Sequence, residues 1–122
     1  MGRSDAGWEL EYTDVFGEWW ERLSSAEQVD VAAVVDLLVR RGPSLAYPFS
    51  SKVVSSRHGQ LRELRIQHAG RPYRVLYAFD HRRVGILLLG GDKTGDDRWY
   101  DVAVPKADTL FAQHLTKFPR GA

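Results

Sequence analysis

A chain of 122 residues with 43% hydrophobic content can close one core without cross-links, and the absence of cysteine excludes disulfide frameworks, thiolate nucleophiles and cysteine zinc sites. The net charge of +1 conceals an asymmetry: residues 1–40 carry nine acidic and three basic side chains, and residues 41–122 carry seven acidic and fourteen basic. The basic part suits a polyanion unless neighbouring carboxylates neutralise it.

One domain over residues 1–122 is expected from this length. The opening MGRSDAGWELEY has no apolar signal core, Ala6 fails the myristoylation pattern, and Val84–Leu89 (VGILLL) is too short to cross a bilayer. The expectation is a soluble, cytoplasmic protein with no membrane partner.

Trp8–Thr13 alternates apolar and polar residues and predicts a half-buried strand. Asp14 offers an N-cap for a helix over Asp14–Leu23, whose apolar face is Phe16, Trp19, Trp20 and Leu23. Ser24 and Glu27 form a capping box for a second helix that carries Val31, Val34, Val35 and Leu38 and stops at Gly42-Pro43. Residues 42–60 read as a loop with a short extended piece at Lys52–Val54. Three strands follow, Leu61–Gln67, Pro72–Phe79 and Val84–Leu89, and then a helix over Pro105–Lys117 with Pro105 in its first turn. Helices followed by a strand meander predict an α+β fold: two N-terminal helices packed on an antiparallel sheet, a C-terminal helix, and one sheet face free to bind.

A two-residue turn at Ala69-Gly70 places Arg65 opposite Arg74 on one sheet face. Like charges in that relation are destabilising. Either the pair clamps an anion such as phosphate, or Glu63 or a nearby aspartate neutralises it. Past the third strand comes GGDKTGDDRWY, which brings Asp92, Lys93 and Thr94 to the sheet rim; the two glycines permit close backbone approach and positive φ. The stretch lacks P-loop and EF-hand spacing, and the aspartates read as solvated turn residues. The four histidines have no metal-ligand spacing, and His114 reads as a packed core residue. Tyr47, Trp99 and Tyr100 are candidates for base stacking, although packing explains each of them singly.

Arg62-Glu63-Leu64-Arg65, Tyr73-Arg74-Val75-Leu76-Tyr77 and Asp92-Lys93-Thr94 together resemble the motifs of the RelE/HigB toxins of type II toxin–antitoxin systems, in their phage-derived Gp49-like branch. The resemblance implies a RelE/ParE-like fold and an mRNA interferase, a ribosome-dependent endoribonuclease silenced by a helix-turn-helix antitoxin. It implies attack of the substrate's own 2′-hydroxyl on the adjacent phosphate, with no cofactor and no metal. By motif position Arg65 and Arg74 would steady the phosphate, Lys93 would stabilise charge or move a proton, and Thr94 would orient Lys93. Arg62 and Thr94 by motif, and Arg57, Arg98 and Tyr100 by proximity, are the candidate RNA-binding residues. The family's second lysine beside Lys93 is Asp92 here, which would partly cancel the local positive charge. A ParE-like toxin that does not cleave RNA, or a non-enzymatic module that binds nucleic acid or antitoxin, are the alternatives.

Overall fold

The computed structural model describes residues 7–119; Ala6, on which the acylation pattern turns, lies outside them. Strand β1 (Leu10–Tyr12) leads into helices α1 (Asp14–Arg22) and α2 (Ser25–Arg41), a 3-10 turn at Gly42–Ser44 and strand β2 (Ser50–Lys52). Strands β3 (Arg62–His68), β4 (Arg71–Phe79) and β5 (Gly85–Asp92) follow, and helix α3 (Trp99–Lys117) is the last element among the described residues. The five strands form one sheet in the order β1-β5-β4-β3-β2, antiparallel except for the parallel β1–β5 pair. The α+β architecture and the C-terminal helix are as expected. No helix among the described residues is long and apolar enough to cross a membrane.

Local chemistry sets the helix starts. Thr13, not Asp14, caps α1: its hydroxyl oxygen accepts from the Phe16 amide at 3.1 Å, which leaves Asp14 in the first turn beside the positive helix end. The Ser24–Glu27 capping box of α2 forms in both directions, at 2.7 and 3.1 Å. Helix α3 begins at Trp99, six residues before the expected start, so Pro105 lies inside it. Proline withholds the amide that the Asp101 carbonyl would accept. Both residues are exposed, so water can take that carbonyl.

The sheet is covered on both faces, which corrects the expectation of one free face. Leu64, Ile66, Tyr73, Val75, Tyr77 and Leu87 pack with Phe16, Val31 and Leu38 of α1 and α2. On the other side Leu76, Ala78, Ile86, Leu88 and Leu89 pack with Ala103, Val104, Ala107 and Phe111 of α3. A strand buried on both faces reads as a continuous apolar run, and β5 has that composition.

Gly90 and Gly91 do not end β5, which continues to Asp92. A Cβ on Gly90 would lie 2.4 Å from the Trp19 ring of α1, and one on Gly91 would lie 2.6 Å from Trp99 Nε1 of α3. The glycines therefore make room for a tryptophan ring on each side of the strand. Neither residue has a positive φ, contrary to the expectation. One bulge interrupts β4–β5: Leu76 pairs with Leu89 and Tyr77 with Leu87, so Leu88 is the extra residue. Its carbonyl accepts the Thr13 hydroxyl at 2.6 Å.

Two buried or half-buried carboxylates tie elements together. The Tyr73 hydroxyl of β4 donates to Glu27 of α2; this bond, with the Ser24 amide, holds Glu27 down at about 2. Burial, together with the bond to Glu27, pushes Tyr73 up to about 12. Asp80, in the β4–β5 turn, accepts from His114 at 2.8 Å and Arg82 at 2.9 Å. Burial pushes its carboxyl up, but bonds from His114, Arg82 and the Val84 amide outweigh burial and leave it below the ordinary value. His114 is a packed residue, as expected, lying between the Phe111 and Phe118 rings.

Gly90→Ala is expected to cost about 1–3 kcal/mol through overpacking against Trp19, read as a lowered urea midpoint; an unchanged midpoint would mean that the ring yields. A carboxyl lowered in the fold contributes stability that is complete above its unfolded value and lost as pH falls toward the folded one. Glu27 therefore predicts a loss of stability between pH 4.5 and about 2. Tyr73→Phe should flatten that loss in urea midpoints measured across the interval. An equal slope in both proteins would remove the bond from the account.

Candidate functional site

The β3–β4 pairing sets Arg65 opposite Arg74, the register that the two-residue turn predicted. Glu63, two residues earlier on β3, shares their face. It is a buried carboxylate, 6% exposed, among four donors. Its Oε2 accepts from Ser51 Oγ at 2.7 Å and Arg65 Nη1 at 3.3 Å, and its Oε1 accepts from the Tyr100 hydroxyl at 2.6 Å. Arg74 Nε lies 3.5 Å from the same Oε1.

Glu63 thus answers the like-charge problem: it is shared by both guanidiniums, and neither arginine is the unpaired surface cation of a free sheet face. Arg74 is 6% exposed and further held by Tyr100, whose oxygen accepts its Nε at 3.3 Å, and by the Tyr73 carbonyl at 3.0 Å. The Arg65 side chain is only half-buried, because one of its nitrogens is engaged and the rest of the fork is open.

Tyr100 reaches this place from the first turn of α3, which Gly91 lets settle against β5 through Trp99. Burial pushes its phenol above the ordinary tyrosine value, the bond to Glu63 adds to that, and Arg74 opposes it. At neutral pH the group is a hydrogen-bond donor, not a base. Lys93 follows β5 directly, half-buried, with its amide on the Pro72 carbonyl at 3.0 Å and its Nζ 5.7 Å from the centroid of the Tyr100 ring. Lys93 forms no ion pair among the described residues. Asp92, the neighbour expected to offset part of this charge, is paired elsewhere. It pairs with Tyr73, on the opposite face, and meets Arg71 at 3.0 Å.

The structure therefore gathers Arg65, Arg74, Lys93 and Tyr100. Arg62 is on the other face, donating to Ser50 Oγ at 3.1 Å and toward the Leu45 carbonyl at 3.5 Å. Thr94 donates to Asp92, so it orients Asp92 and not Lys93. Arg57 is held farther along α3, with its amide on Asp108 at 3.0 Å. Arg98 is exposed and lies 3.9 Å from Asp101. Neither Arg57 nor Arg98 touches the cluster.

The reading from sequence named Glu63 as one possible neutraliser of the arginine pair, but did not foresee that it joins both arginines to Tyr100, with Ser51 as its support. A signal existed: two arginines in register on one face need a carboxylate within reach, and Glu63 sits at the i−2 position that points the same way. Chemically, the cluster offers three cations and a neutral phenol against one carboxylate, which suits an anion with charge spread over several oxygens. Among the described residues no group of three or more acidic or histidine side chains is arranged to hold a metal ion.

Arg74→Ala leaves a buried carboxylate short of a partner and is expected to cost about 1–3 kcal/mol in urea unfolding. Arg65→Ala, at a half-exposed pair, should stay within about 1 kcal/mol. Equal costs for the two would contradict the difference in burial.

Residues 18–112 match the family described as phage-derived protein Gp49-like (DUF891). The chain is 36% identical over 114 residues to the candidate toxin HigB2 of Mycobacterium tuberculosis, covering 92% of this chain and 56% of that protein. It is 44% identical over 91 residues to the candidate toxin HigB3 of the same organism, covering 74% and 78%. The chain thus spans little more than half the length of HigB2. Among solved structures, a free mutant of the E. coli toxin RelE superposes with a TM-score of 0.60 at 14% identity, covering 82% of this chain and 97% of that one. The RelE of an archaeal RelE–RelB complex from Pyrococcus horikoshii gives 0.53 at 18%, covering 73% and 98%. These two likenesses are of fold. The chain belongs to the phage-derived Gp49-like family, within the RelE/HigB toxin superfamily.

Proposed function

We propose that this protein is the toxin of a type II toxin–antitoxin system and acts as a ribosome-dependent mRNA endoribonuclease, silenced by a helix-turn-helix antitoxin. The observation that carries the reading is the cluster of Arg65, Arg74, Tyr100 and Lys93 around Glu63 on one sheet face. The relatives named as toxins and the RelE–RelB complex support the toxin and antitoxin parts.

In the proposed reaction the ribose 2′-hydroxyl attacks the adjacent phosphorus and the bond to the 5′-oxygen breaks. The products are a 2′,3′-cyclic phosphate and a 5′-hydroxyl end. The 2′-hydroxyl proton is lost and the leaving oxygen gains one. The phosphate passes through a state with more charge on its free oxygens, and preorganised cations are most effective there. Arg65, with part of its fork open, contacts the phosphate. Arg74, buried on Glu63, fixes the position of that carboxylate and hence of Arg65. Lys93, without a carboxylate partner, stabilises the developing charge or delivers the proton. Tyr100, held as a neutral phenol, donates its one hydrogen bond to Glu63 and so steadies that carboxylate from the α3 side.

The burial of Arg74 favours a second reading, in which the arginines are structural and the toxin acts without cleaving RNA, as a ParE-like protein would. Induced expression followed by mapping of transcript ends separates the two. The nuclease reading predicts growth arrest with new 5′-hydroxyl ends; arrest without new ends rejects it. Lys93→Ala is expected to lower single-turnover cleavage by about 100-fold or more, with RNA affinity nearly unchanged. Weakened affinity with intact cleavage would overturn the role given to Lys93.

A further inference from the structure

We infer that Tyr47 and Arg65 together form a stacking subsite for an unpaired nucleobase, beside the phosphate-binding cluster; the inference rests on the reading that single-stranded RNA occupies that cluster. Tyr47 is 73% exposed, in the loop that precedes β2, and the Arg65 guanidinium lies over its ring, 5.2 Å from the centroid. Nothing in the core requires the ring: Tyr47 belongs to neither apolar cluster of the fold.

The loop is nonetheless fixed in place. The Phe49 and Ser50 amides both donate to the Ala46 carbonyl at 3.1 Å, and the Arg65 amide donates to the Phe49 carbonyl at 2.9 Å. The loop backbone is therefore bonded to β3 at the residue whose side chain touches the ring. A single exposed tyrosine is ordinary on a protein surface. A planar cation against an aromatic ring, next to a group of phosphate-suited cations, is the composition that stacks and holds single-stranded nucleic acid.

The geometry gives a direction to the bound strand. From Tyr47 the contacts run through Arg65 and Glu63 to Tyr100 and then Lys93. This path crosses β3, β4 and β5, roughly 10 Å in two strand spacings. A base on the Tyr47–Arg65 platform would leave its sugar-phosphate toward the cluster. The subsite accepts any base by its flat face, and so it contributes affinity and position more than sequence preference.

The test is fluorescence anisotropy with a short single-stranded RNA made uncleavable by 2′-O-methyl groups, and with a strand of equal length bearing abasic sites. Wild type is compared with Tyr47→Ala, Tyr47→Leu and Tyr47→Trp. The alanine and leucine variants are expected to bind the base-bearing strand roughly 5- to 150-fold more weakly, and the tryptophan variant as tightly as wild type. On the abasic strand wild type and Tyr47→Ala should bind alike. Undiminished affinity of Tyr47→Ala for the base-bearing strand overturns the subsite, as does an equal loss on both strands. In either case salt-dependent RNA binding by wild type, weakened on both strands by Arg65→Ala, leaves the parent reading standing. Failure of wild type to bind either strand overturns the subsite, whereas the parent reading stands or falls on the new 5′-hydroxyl transcript ends.

Discussion

The site depends on one buried carboxylate. Register obliges Arg65 and Arg74 to face each other across β3 and β4, and two guanidiniums so placed repel. Glu63 makes the arrangement possible, and its two oxygens also take the hydroxyls of Ser51 and Tyr100. Four elements are thereby tied at one point: β2, β3, β4 and the first turn of α3. Breaking a buried ion pair from one side is costly because the remaining charge has no water to turn to. The same interaction divides the labour between the arginines. Arg74 is committed to the interior, and Arg65 keeps an open fork toward solvent.

The frame around this point is organised by β5. It is apolar on both sides, pairs with β1 on one edge and β4 on the other, and gives up side chains at Gly90 and Gly91 so that Trp19 and Trp99 can close on it from opposite faces. Trp99 begins α3, and the residue after it is Tyr100. Gly91 is thus linked to the chemistry indirectly: it makes room for Trp99 at the start of α3, and that start sets where the phenol lands. The Leu88 bulge serves the same frame, since Leu88 and Leu89 both join the α3-facing core and the Leu88 carbonyl anchors the Thr13 cap of α1.

What could be read from sequence was what local rules determine. The Ala69-Gly70 turn fixed the β3–β4 register, with positive φ at both residues, and the capping box marked the start of α2. The motif letters led to the right superfamily. What escaped depended on contacts between distant segments. Pro105 looked like a helix start because proline suits a first turn, but packing of Trp99 on Gly91 carries α3 back by six residues. That longer helix covers the face that had been expected to be open. Thr13 took the cap from Asp14 because its hydroxyl also satisfies the bulge in β5. Of the site residues, Arg65, Arg74, Lys93 and Tyr100 converge. Arg62 was misplaced because a motif run together in sequence alternates between the faces of a strand.

The central claim is that the Glu63-ordered cations present themselves to a phosphodiester. Its most direct test is NMR of the arginine Nε–H and lysine side-chain signals while a 3′-phosphorylated dinucleotide is added. The account predicts saturable, salt-sensitive shifts at Arg65 and Lys93, a smaller one at Arg74, and none at Arg62 on the opposite face. Shifts spread evenly over the basic residues, or signals of Arg65 and Lys93 that stay fixed while the ligand binds elsewhere, would contradict it.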